Sequence, residues 1–344
     1  MKPVISIVDI EDVWEIEHLN ALLGGSFTVE YFKETADLVL DKIKNTTVLS
    51  TFINSKVNKN VIDALPNLKF IATRSTGFDH IDIDYARSKN ILASNVPTYG
   101  DNTVAEHTFA LILSIARNLK KAHFKASEGD FSIKDLMGFD LRGKTIGVVG
   151  TGHIGLRVIK MAAGFSMRVL AFDPSQDQFL SEVLGFKYVD FETLLKESDI
   201  ITLHAPYNKN THHLINEKNI ELIKKGAVLI NTARGGLIDV VALTKALDRN
   251  ILSGAGLDVL ESEDVILEER HLLMRKKKDL YDPQKLQLAL RNGLLLQRDN
   301  VVFTPHIGFY SKEALQRILD TTTHNITSFF SRNPVNLITA GKYV

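Results

Sequence analysis

The sequence contains no cysteine, which excludes disulfide bonds, thiolate metal sites and thiol nucleophiles. It has no net charge, because 41 basic side chains balance 41 acidic ones, and this balance does not favour nucleic acid or a membrane surface as a partner. No apolar run is long enough to span a bilayer, and acidic residues break the first one too early for a signal peptide. We therefore expect a cytoplasmic protein that binds neither nucleic acid nor membrane.

The 344 residues, 44% of them hydrophobic, suffice for about two domains with ample core. In the first 98 residues, short apolar runs alternate with amphipathic stretches, which predicts a parallel sheet with helices on both faces. The predicted strands are 4–8, 27–31, 48–52, 70–73 and 91–93. The predicted helices are 15–23, 35–43, 59–65 and 83–89.

A glycine-rich turn in the middle of the chain carries the most specific signal. An apolar run ends at Gly150, Gly152 and Gly155, a helical pattern follows, and a second apolar run ends at Asp173. The glycines permit a tight turn, a close approach of the backbone to a pyrophosphate and close packing of helix on strand, and His153 and Ile154 open the helix. A carboxylate about 20 residues further on accepts bonds from the ribose hydroxyls and repels a 2′-phosphate, which favours NAD over NADP. The alternative is a glycine turn in some other α/β protein.

Further strands are predicted at 186–189, 199–204, 227–231, 254–259 and 301–304, and the last three end near charged or titratable groups. These groups are Arg234, Asp258, Glu263 and His306. Arginine can polarise a carbonyl and bind a carboxylate, and histidine with a carboxylate partner can exchange a proton near neutral pH. Beside a nicotinamide, such a set performs hydride transfer, whereas each residue alone could equally be a structural ion pair.

Three other features have simpler readings. The polar turn that begins at Arg74 offers hydroxyls and backbone amides that suit a carboxylate, but on spacing alone an ordinary polar turn is the better explanation. Residues 103–119 predict one long helix, apolar on more than one face and therefore buried in the core or in a subunit interface. On it, His107 is interpreted as a packed or interface histidine. Adjacent histidines such as His212 and His213 are expected to point in different directions on a helix or strand, and we predict no metal site.

Several motifs together resemble the D-isomer-specific 2-hydroxyacid dehydrogenase family and, within it, the D-lactate dehydrogenase branch. The resemblance covers nearly the whole chain. It is carried by RSTGFDHID from Arg74, the loop at Tyr99, the helix that follows, the GTGHIG turn, LHAP from Leu203, NTARG from Asn231, GLDV from Gly256 and TPHI from Thr304.

The resemblance implies a Rossmann NAD domain, residues 101–308, inserted into a flavodoxin-like substrate domain of residues 1–100 and 309–344. Both would be doubly wound parallel α/β sheets. It implies a homodimer formed through the helix near 103–119.

The resemblance also implies the roles of individual residues. His306 would be the general acid/base with Glu263 as its carboxylate partner, and Arg234 would bind the substrate carboxylate and polarise the carbonyl. Asp258 would hold the nicotinamide carboxamide. The remaining cofactor contacts would be His204, Ala205, Pro206, Thr232 and Ala233, and the remaining substrate contacts would be Ser75, Thr76, Gly77 and Tyr99. Domain closure would exclude water during the reaction.

These implications predict interconversion of a small 2-oxo acid and its D-2-hydroxy acid, with pyruvate and D-lactate as the first choice. Asn54 stands where the lactate branch often has a tyrosine, so glyoxylate, hydroxypyruvate or a larger 2-oxo acid is an alternative. The charged segment 264–298 is interpreted as a solvated helical excursion. A protein of another class, one that senses NAD(H) by binding, is a further alternative.

Overall fold

Two separate parallel sheets organise the chain. The computed structural model describes residues 2–261 and 291–338. One unit comprises Met1–Tyr99 with Tyr310–Val344, and the other comprises Gly100–Phe309. Glu263 and most of the segment 264–298 lie outside the described residues.

The sheet of the first unit has five strands in the order β2-β1-β3-β4-β5, all parallel. The strands are β1 Val4–Ile7, β2 Thr28–Tyr31, β3 Val48–Thr51, β4 Phe70–Thr73 and β5 Leu92–Ser94. Strands β3 and β4 are buried along their whole length, as expected for a parallel sheet with both faces covered.

Helices cover both faces of this sheet. They are α1 Val13–Leu23, α2 Lys59–Ala64, α3 Ile83–Ser88 and the C-terminal helix Lys312–Phe330. Ile5 and Ile7, alternate residues of β1, lie on one face of the sheet and pack in one hydrophobic cluster with side chains of α1 and the C-terminal helix. Leu49 and Ile71 belong to the cluster that contains residues of α2 and α3. The C-terminal helix is thus part of this unit's core.

The sheet of the second unit has seven parallel strands in the order β8-β7-β6-β9-β10-β11-β12. The strands are β6 Thr145–Val149, β7 Arg168–Phe172, β8 Lys187–Tyr188, β9 Ile200–Leu203, β10 Ala227–Asn231, β11 Leu252–Leu257 and β12 Val301–Phe303. The order reverses on either side of β6. Ligands of open α/β sheets bind at such a point, beyond the carboxyl ends of the strands.

Its helices are α4 Asp101–Ala116, α5 Leu119–Ser127, α6 His153–Gly164, α7 Gln178–Leu184, α8 Phe191–Glu197 and α9 Val240–Asp248. Apolar residues of α4 and α6 form one cluster against the sheet, and those of α8 and α9 belong to another. None of the helices within the described ranges combines the length and apolar character needed to cross a membrane.

The predicted fold class is confirmed: both sheets are parallel and interleaved with helices, in Rossmann and flavodoxin-like orders. Two predicted helices are wrong. Residues 35–43 contain only the 3-10 turn Ala36–Leu38: the Val39 amide donates to the Ala36 carbonyl and the Lys42 amide to the Val39 carbonyl, three residues back instead of the four of an α-helix. The helix predicted over 103–119 ends at Ala116, and a second helix starts at Leu119.

The break between α4 and α5 has a tertiary cause. Asn118 adopts a left-handed conformation with φ of 51°, and its side-chain amide donates to the Met137 carbonyl at 3.0 Å. The Phe139 amide donates to the Ala116 carbonyl at 2.9 Å, which satisfies a terminal acceptor of α4. The loop after α5 therefore caps the end of α4.

Candidate active site

The glycine turn joins β6 to α6 at the switch point of the seven-stranded sheet. Gly150 has φ of 95°, and a Cβ there would lie 2.7 Å from the His204 carbonyl oxygen. A Cβ on Gly155 would lie 2.0 Å from the Gly150 carbonyl oxygen, whereas one on Gly152 would meet nothing within 4 Å. Gly150 and Gly155 are thus required by the protein's own packing, while Gly152 faces open space.

The first turn of α6 provides hydrogen-bond donors to that open space. The backbone amides of His153, Ile154 and Gly155 donate to no acceptor within residues 2–261 and 291–338. Such amides, together with the helix dipole, bind anions. The turn therefore fits the pyrophosphate of a dinucleotide.

Asp173 follows β7 and lies directly beside this turn. Its Oδ2 accepts the Thr151 amide at 2.7 Å and the Thr151 hydroxyl at 3.1 Å, while Oδ1 accepts the Ser175 amide at 2.8 Å. The Tyr188 hydroxyl is 3.0 Å from Thr151 Oγ1. These contacts fix the carboxylate beside the glycine turn, and its remaining lone pairs fit the hydroxyls of an adenosine ribose.

His204, Ala205 and Pro206 follow β9 on the other side of β6. The His204 amide donates to the Val149 carbonyl at 2.7 Å, and its Nε2 is 2.9 Å from Thr202 Oγ1. Burial lowers the pKa of His204 to about 3, so the imidazole is neutral at physiological pH. This segment forms a wall against the glycine turn without adding a positive charge to it.

The turn after β10 carries Thr232, Ala233 and Arg234, and the buried side chain of Asn231 shapes it. Asn231 Oδ1 accepts the Ala233 amide at 3.0 Å, and its Nδ2 donates to the Arg234 carbonyl at 2.9 Å. The Arg234 Nη1 donates to the Ala233 carbonyl at 2.8 Å. Asn231 thereby positions Arg234, a role that the sequence reading did not assign.

Asp258 follows β11, and its carboxylate binds the turn that carries His306. Oδ1 accepts the Thr304 hydroxyl at 2.5 Å and the Ile307 amide at 3.0 Å, and Oδ2 accepts the Gly308 amide at 2.8 Å. The His306 amide donates to the Asp258 carbonyl at 2.8 Å. Burial alone would raise the pKa of Asp258, but hydrogen bonds led by the one from His107 hold this pKa below its usual value.

The candidate substrate loop of the first unit follows β4. The amides of Ser75, Thr76 and Gly77 donate to no acceptor within the described parts of the chain. The Thr76 hydroxyl donates to the Val96 carbonyl at 2.8 Å, and the Ser75 hydroxyl donates to the Gly77 carbonyl at 2.6 Å. Because these bonds use both hydroxyl protons, the donors that remain in the loop are main-chain amides. Such a cradle suits a carboxylate.

Arg74 anchors this loop from below. Its guanidinium is buried and donates to the carbonyls of Val8 and Asp9, both at 2.8 Å, and to the Ser50 hydroxyl at 3.1 Å. Burial lowers the pKa of Arg74 to about 10. The side chain ties the ends of β1 and β3 to β4 and is not directed at a substrate. Tyr99 follows β5, and its carbonyl accepts the Arg317 Nε at 2.8 Å.

Within the second unit, the structure places all the described candidate residues at one edge of the sheet. The glycine turn, Asp173, His204, Arg234, Asp258 and His306 follow six parallel strands. Ser75–Gly77 and Tyr99 belong to the first unit, and Glu263 lies outside the described residues. Sequence reasoning missed Asn231, Thr304 and Tyr188. Asn231 and Thr304 stand at strand ends inside the NTARG and TPHI motifs, and this position was the signal that could have identified them.

A parallel sheet whose order reverses at a glycine turn, with a fixed acid at the next strand, defines a Rossmann dinucleotide-binding protein. Within that class, the chain belongs to the D-isomer-specific 2-hydroxyacid dehydrogenases: the model of that family's NAD binding domain matches residues 109–308. The cofactor is NAD, which the donors and the carboxylate at the glycine turn fit.

The relatives include enzymes with different named substrates. The chain is 36% identical over 309 residues to a glyoxylate reductase of Thermococcus litoralis, covering 88% of this chain and 86% of the relative. It is 33% identical over 322 residues to D-lactate dehydrogenase of Escherichia coli, covering 91% and 92%. A solved D-lactate dehydrogenase from Aquifex aeolicus, complexed with NAD and lactic acid, has a TM-score of 0.84 at 36% identity, covering 96% of each chain.

Proposed function

We propose that this protein reduces pyruvate to D-lactate with NADH. The observation that carries the proposal is the common sheet edge on which Arg234, Asp258 and His306 follow successive strands beside the dinucleotide turn. An arginine, a carboxylate and a histidine next to a nicotinamide site are the groups that reduction of a 2-oxo acid requires.

In this mechanism each group has one task. When bound, reduced NAD supplies the hydride that reaches C2 of the 2-oxo acid. Arg234 stabilises the negative charge that develops on the carbonyl oxygen, and protonated His306 donates the proton that this oxygen takes up. The reverse reaction uses neutral His306 as the base. Glu263 is proposed as the carboxylate partner of His306.

The substrate carboxylate is proposed to bind the amides of Ser75, Thr76 and Gly77, with Tyr99 as an additional contact. This role is supported by three backbone amides in one loop that donate to no acceptor within the described residues. Uncharged amides can bind a carboxylate, and they leave no unpaired positive charge in the loop when the substrate is absent. Arg74 is assigned a supporting role, since its guanidinium is already bonded to the strand ends.

Glyoxylate is the second candidate substrate. Asn54, which is exposed, replaces the tyrosine of the lactate branch, and relatives with 36% and 33% identity are named glyoxylate reductase. Glyoxylate lacks the methyl group of pyruvate, and one such group in a pocket changes binding by only about 1–3 kcal/mol. Preference between the two acids is therefore a quantitative property to be measured.

The deciding experiment follows NADH oxidation by absorbance with pyruvate, glyoxylate, hydroxypyruvate, phenylpyruvate and 2-oxoisocaproate, with chiral analysis of the product. We expect the highest kcat/KM with pyruvate and a product of D configuration. A higher kcat/KM with glyoxylate would move the assignment to the second candidate. Tight NADH binding without turnover of any acid would favour the cofactor-sensing alternative.

We also propose a homodimer through the segment that contains α4 and α5. Helix α4 buries most of its apolar residues inside its own unit, but the loop after α5 exposes Phe131, Ile133 and Met137 to between 83% and 93%. Lys125 ties this loop to α5 through the Ser132 hydroxyl and the Lys134 carbonyl. An ordered apolar surface of this kind is typical of a subunit interface. The cytoplasmic location remains a prediction.

A further inference from the structure

His107, on α4, contacts two groups of the candidate active site. Its Nε2 is 2.8 Å from Thr304 Oγ1 and 3.3 Å from Asp258 Oδ1. The side chain is 18% exposed, and all three residues belong to the second unit. The imidazole therefore reaches the strand ends that carry the proposed chemistry.

The arrangement of donors and acceptors fixes the proton positions in this group. An ionised carboxylate only accepts hydrogen bonds, so the single hydroxyl proton of Thr304 points to Asp258 Oδ1, 2.5 Å away. Thr304 Oγ1 must then accept its bond from His107, which requires a proton on Nε2. The order of donation is thus His107 to Thr304 to Asp258.

The same carboxylate continues the network into the turn around His306. It accepts the amides of Ile307 and Gly308, the two residues after His306. His306 itself has φ of 54°, a left-handed conformation that costs a non-glycine residue energy and persists only when its surroundings enforce it. The bonds to Asp258 are what enforce it here.

Packing around this network leaves little freedom. A Cβ on Gly308 would lie 2.8 Å from Asp258 Oδ2 and 3.4 Å from His107 Cδ2. The backbone of the turn therefore lies directly against both side chains. A shift of the His107 imidazole is transmitted to the turn through contact as well as through hydrogen bonds.

We propose that His107 is a positioning residue for the reaction: through Thr304 and Asp258 it holds the 304–308 turn in the conformation that presents His306 to the substrate oxygen. This inference rests on the proposed function, since it gives His306 its task. Through His107, helix α4 would position a catalytic residue, and this role is separate from the packing of α4 and from any part it has in a subunit interface.

The test compares two substitutions whose side-chain amides lie at different distances from the backbone. In His107→Gln, the side-chain nitrogen can occupy the place of Nε2 and donate to Thr304, whereas in His107→Asn it is too short. We expect His107→Asn to lower kcat about tenfold with the KM for the 2-oxo acid changed less than about twofold, and His107→Gln to restore most of the loss. His324→Asn, at an exposed position of the C-terminal helix, is the control and should leave kcat unchanged.

A second readout does not depend on turnover. The His306 ring signal in the ¹H–¹³C NMR spectrum of the NADH complex, assigned with His306→Asn, should move in His107→Asn and return in His107→Gln. An unmoved signal, unchanged kcat in His107→Asn, or equal losses in both variants with equal falls in Tm would overturn the inference. A wild-type protein that turns over no 2-oxo acid would overturn the proposed function instead, and the NMR comparison would still decide whether His107 positions the turn.

Discussion

The backbone amide of Thr151 and the Oδ2 of Asp173 are joined by a 2.7 Å hydrogen bond. This bond links the glycine turn after β6 to the end of β7, so the carboxylate is held in place by the same loop that provides the phosphate site. Two further donors, the Thr151 hydroxyl and the Ser175 amide, complete its fixation. We therefore expect a carboxylate that is ordered for ribose binding before the cofactor arrives.

The charge of Asp173 should set the preference for NADH over NADPH. Asp173→Asn keeps an oxygen for the Thr151 amide but removes the repulsion of a 2′-phosphate and weakens the ribose bonds. We expect the ratio of kcat/KM for NADPH to that for NADH to rise at least about tenfold, or about 1.4 kcal/mol. Asp299→Asn, at an exposed carboxylate of the same unit, is the control. An unchanged ratio would show that Asp173 does not face the ribose.

The glycines of the turn should separate folding from cofactor binding. A methyl group on Gly155 would lie 2.0 Å from a carbonyl oxygen, whereas one on Gly152 has open space. Gly155→Ala should therefore lower the free energy of unfolding by about 1–3 kcal/mol. Gly152→Ala should leave the free energy of unfolding of the cofactor-free protein unchanged and weaken NADH binding roughly tenfold, because its methyl group would occupy the phosphate site. Chemical denaturation and fluorescence titration measure both quantities, and the opposite pattern would contradict the placement of the pyrophosphate.

Replacement of His306 should remove chemistry and keep binding. His306→Asn should lower kcat by at least about a hundredfold, the usual effect of losing a general acid, while the Kd for NADH stays within about threefold. Stopped-flow absorbance and fluorescence titration give the two values, and His324→Asn is again the control. Turnover at the wild-type rate would exclude His306 as the proton donor.

The half-buried imidazole of His204 should make stability depend on pH. The folded-state pKa is lowered to about 3 from 6.5, so between these values the unfolded chain binds a proton that the folded protein does not. The contribution of His204 to stability is therefore fully present above pH 6.5 and is lost as the pH falls, with a slope of up to about 1.4 kcal/mol per pH unit. Denaturation at several pH values between 4.5 and 7 should show a shallower slope for His204→Gln than for the wild type. Parallel slopes would show that the imidazole is solvated.

The apolar loop after α5 should hold the proposed dimer together. Phe131→Asp combined with Met137→Asp places two charges on this surface and should shift the protein from dimer to monomer in sedimentation analysis. Phe179→Asp, on α7, changes an equally aromatic side chain that is 72% exposed, and it should leave the dimer intact. A wild-type monomer, or a double variant that remains a dimer, would remove this surface from the proposal.

The sequence predicted the parts of the fold that follow from local patterns. The alternation of short apolar runs with amphipathic stretches predicted the parallel sheet of the first unit, and the strand 70–73 and the strand 227–231 were placed at their observed bounds. The glycine turn and Asp173 could be assigned because their spacing along the chain is itself the signature of the site. The motifs at the ends of the later strands identified Arg234, Asp258 and His306 as candidates, but they did not show which residues fix these side chains and turns in position.

Tertiary structure decided what depends on residues far apart in sequence. The α-helix predicted over 35–43 was wrong, because Ala36, Val39 and Ile43 are buried in the core of the first unit through tighter turns. Helix α4 ends at Ala116 because the loop around Phe139 supplies a donor there. From the sequence, His107 was interpreted as a packed or interface histidine, because its neighbours along α4 do not reveal the contacts with Thr304 and Asp258. Periodicity and spacing record the conformation of one segment, whereas hydrogen bonds between segments exist only after the sheet has brought the strand ends together.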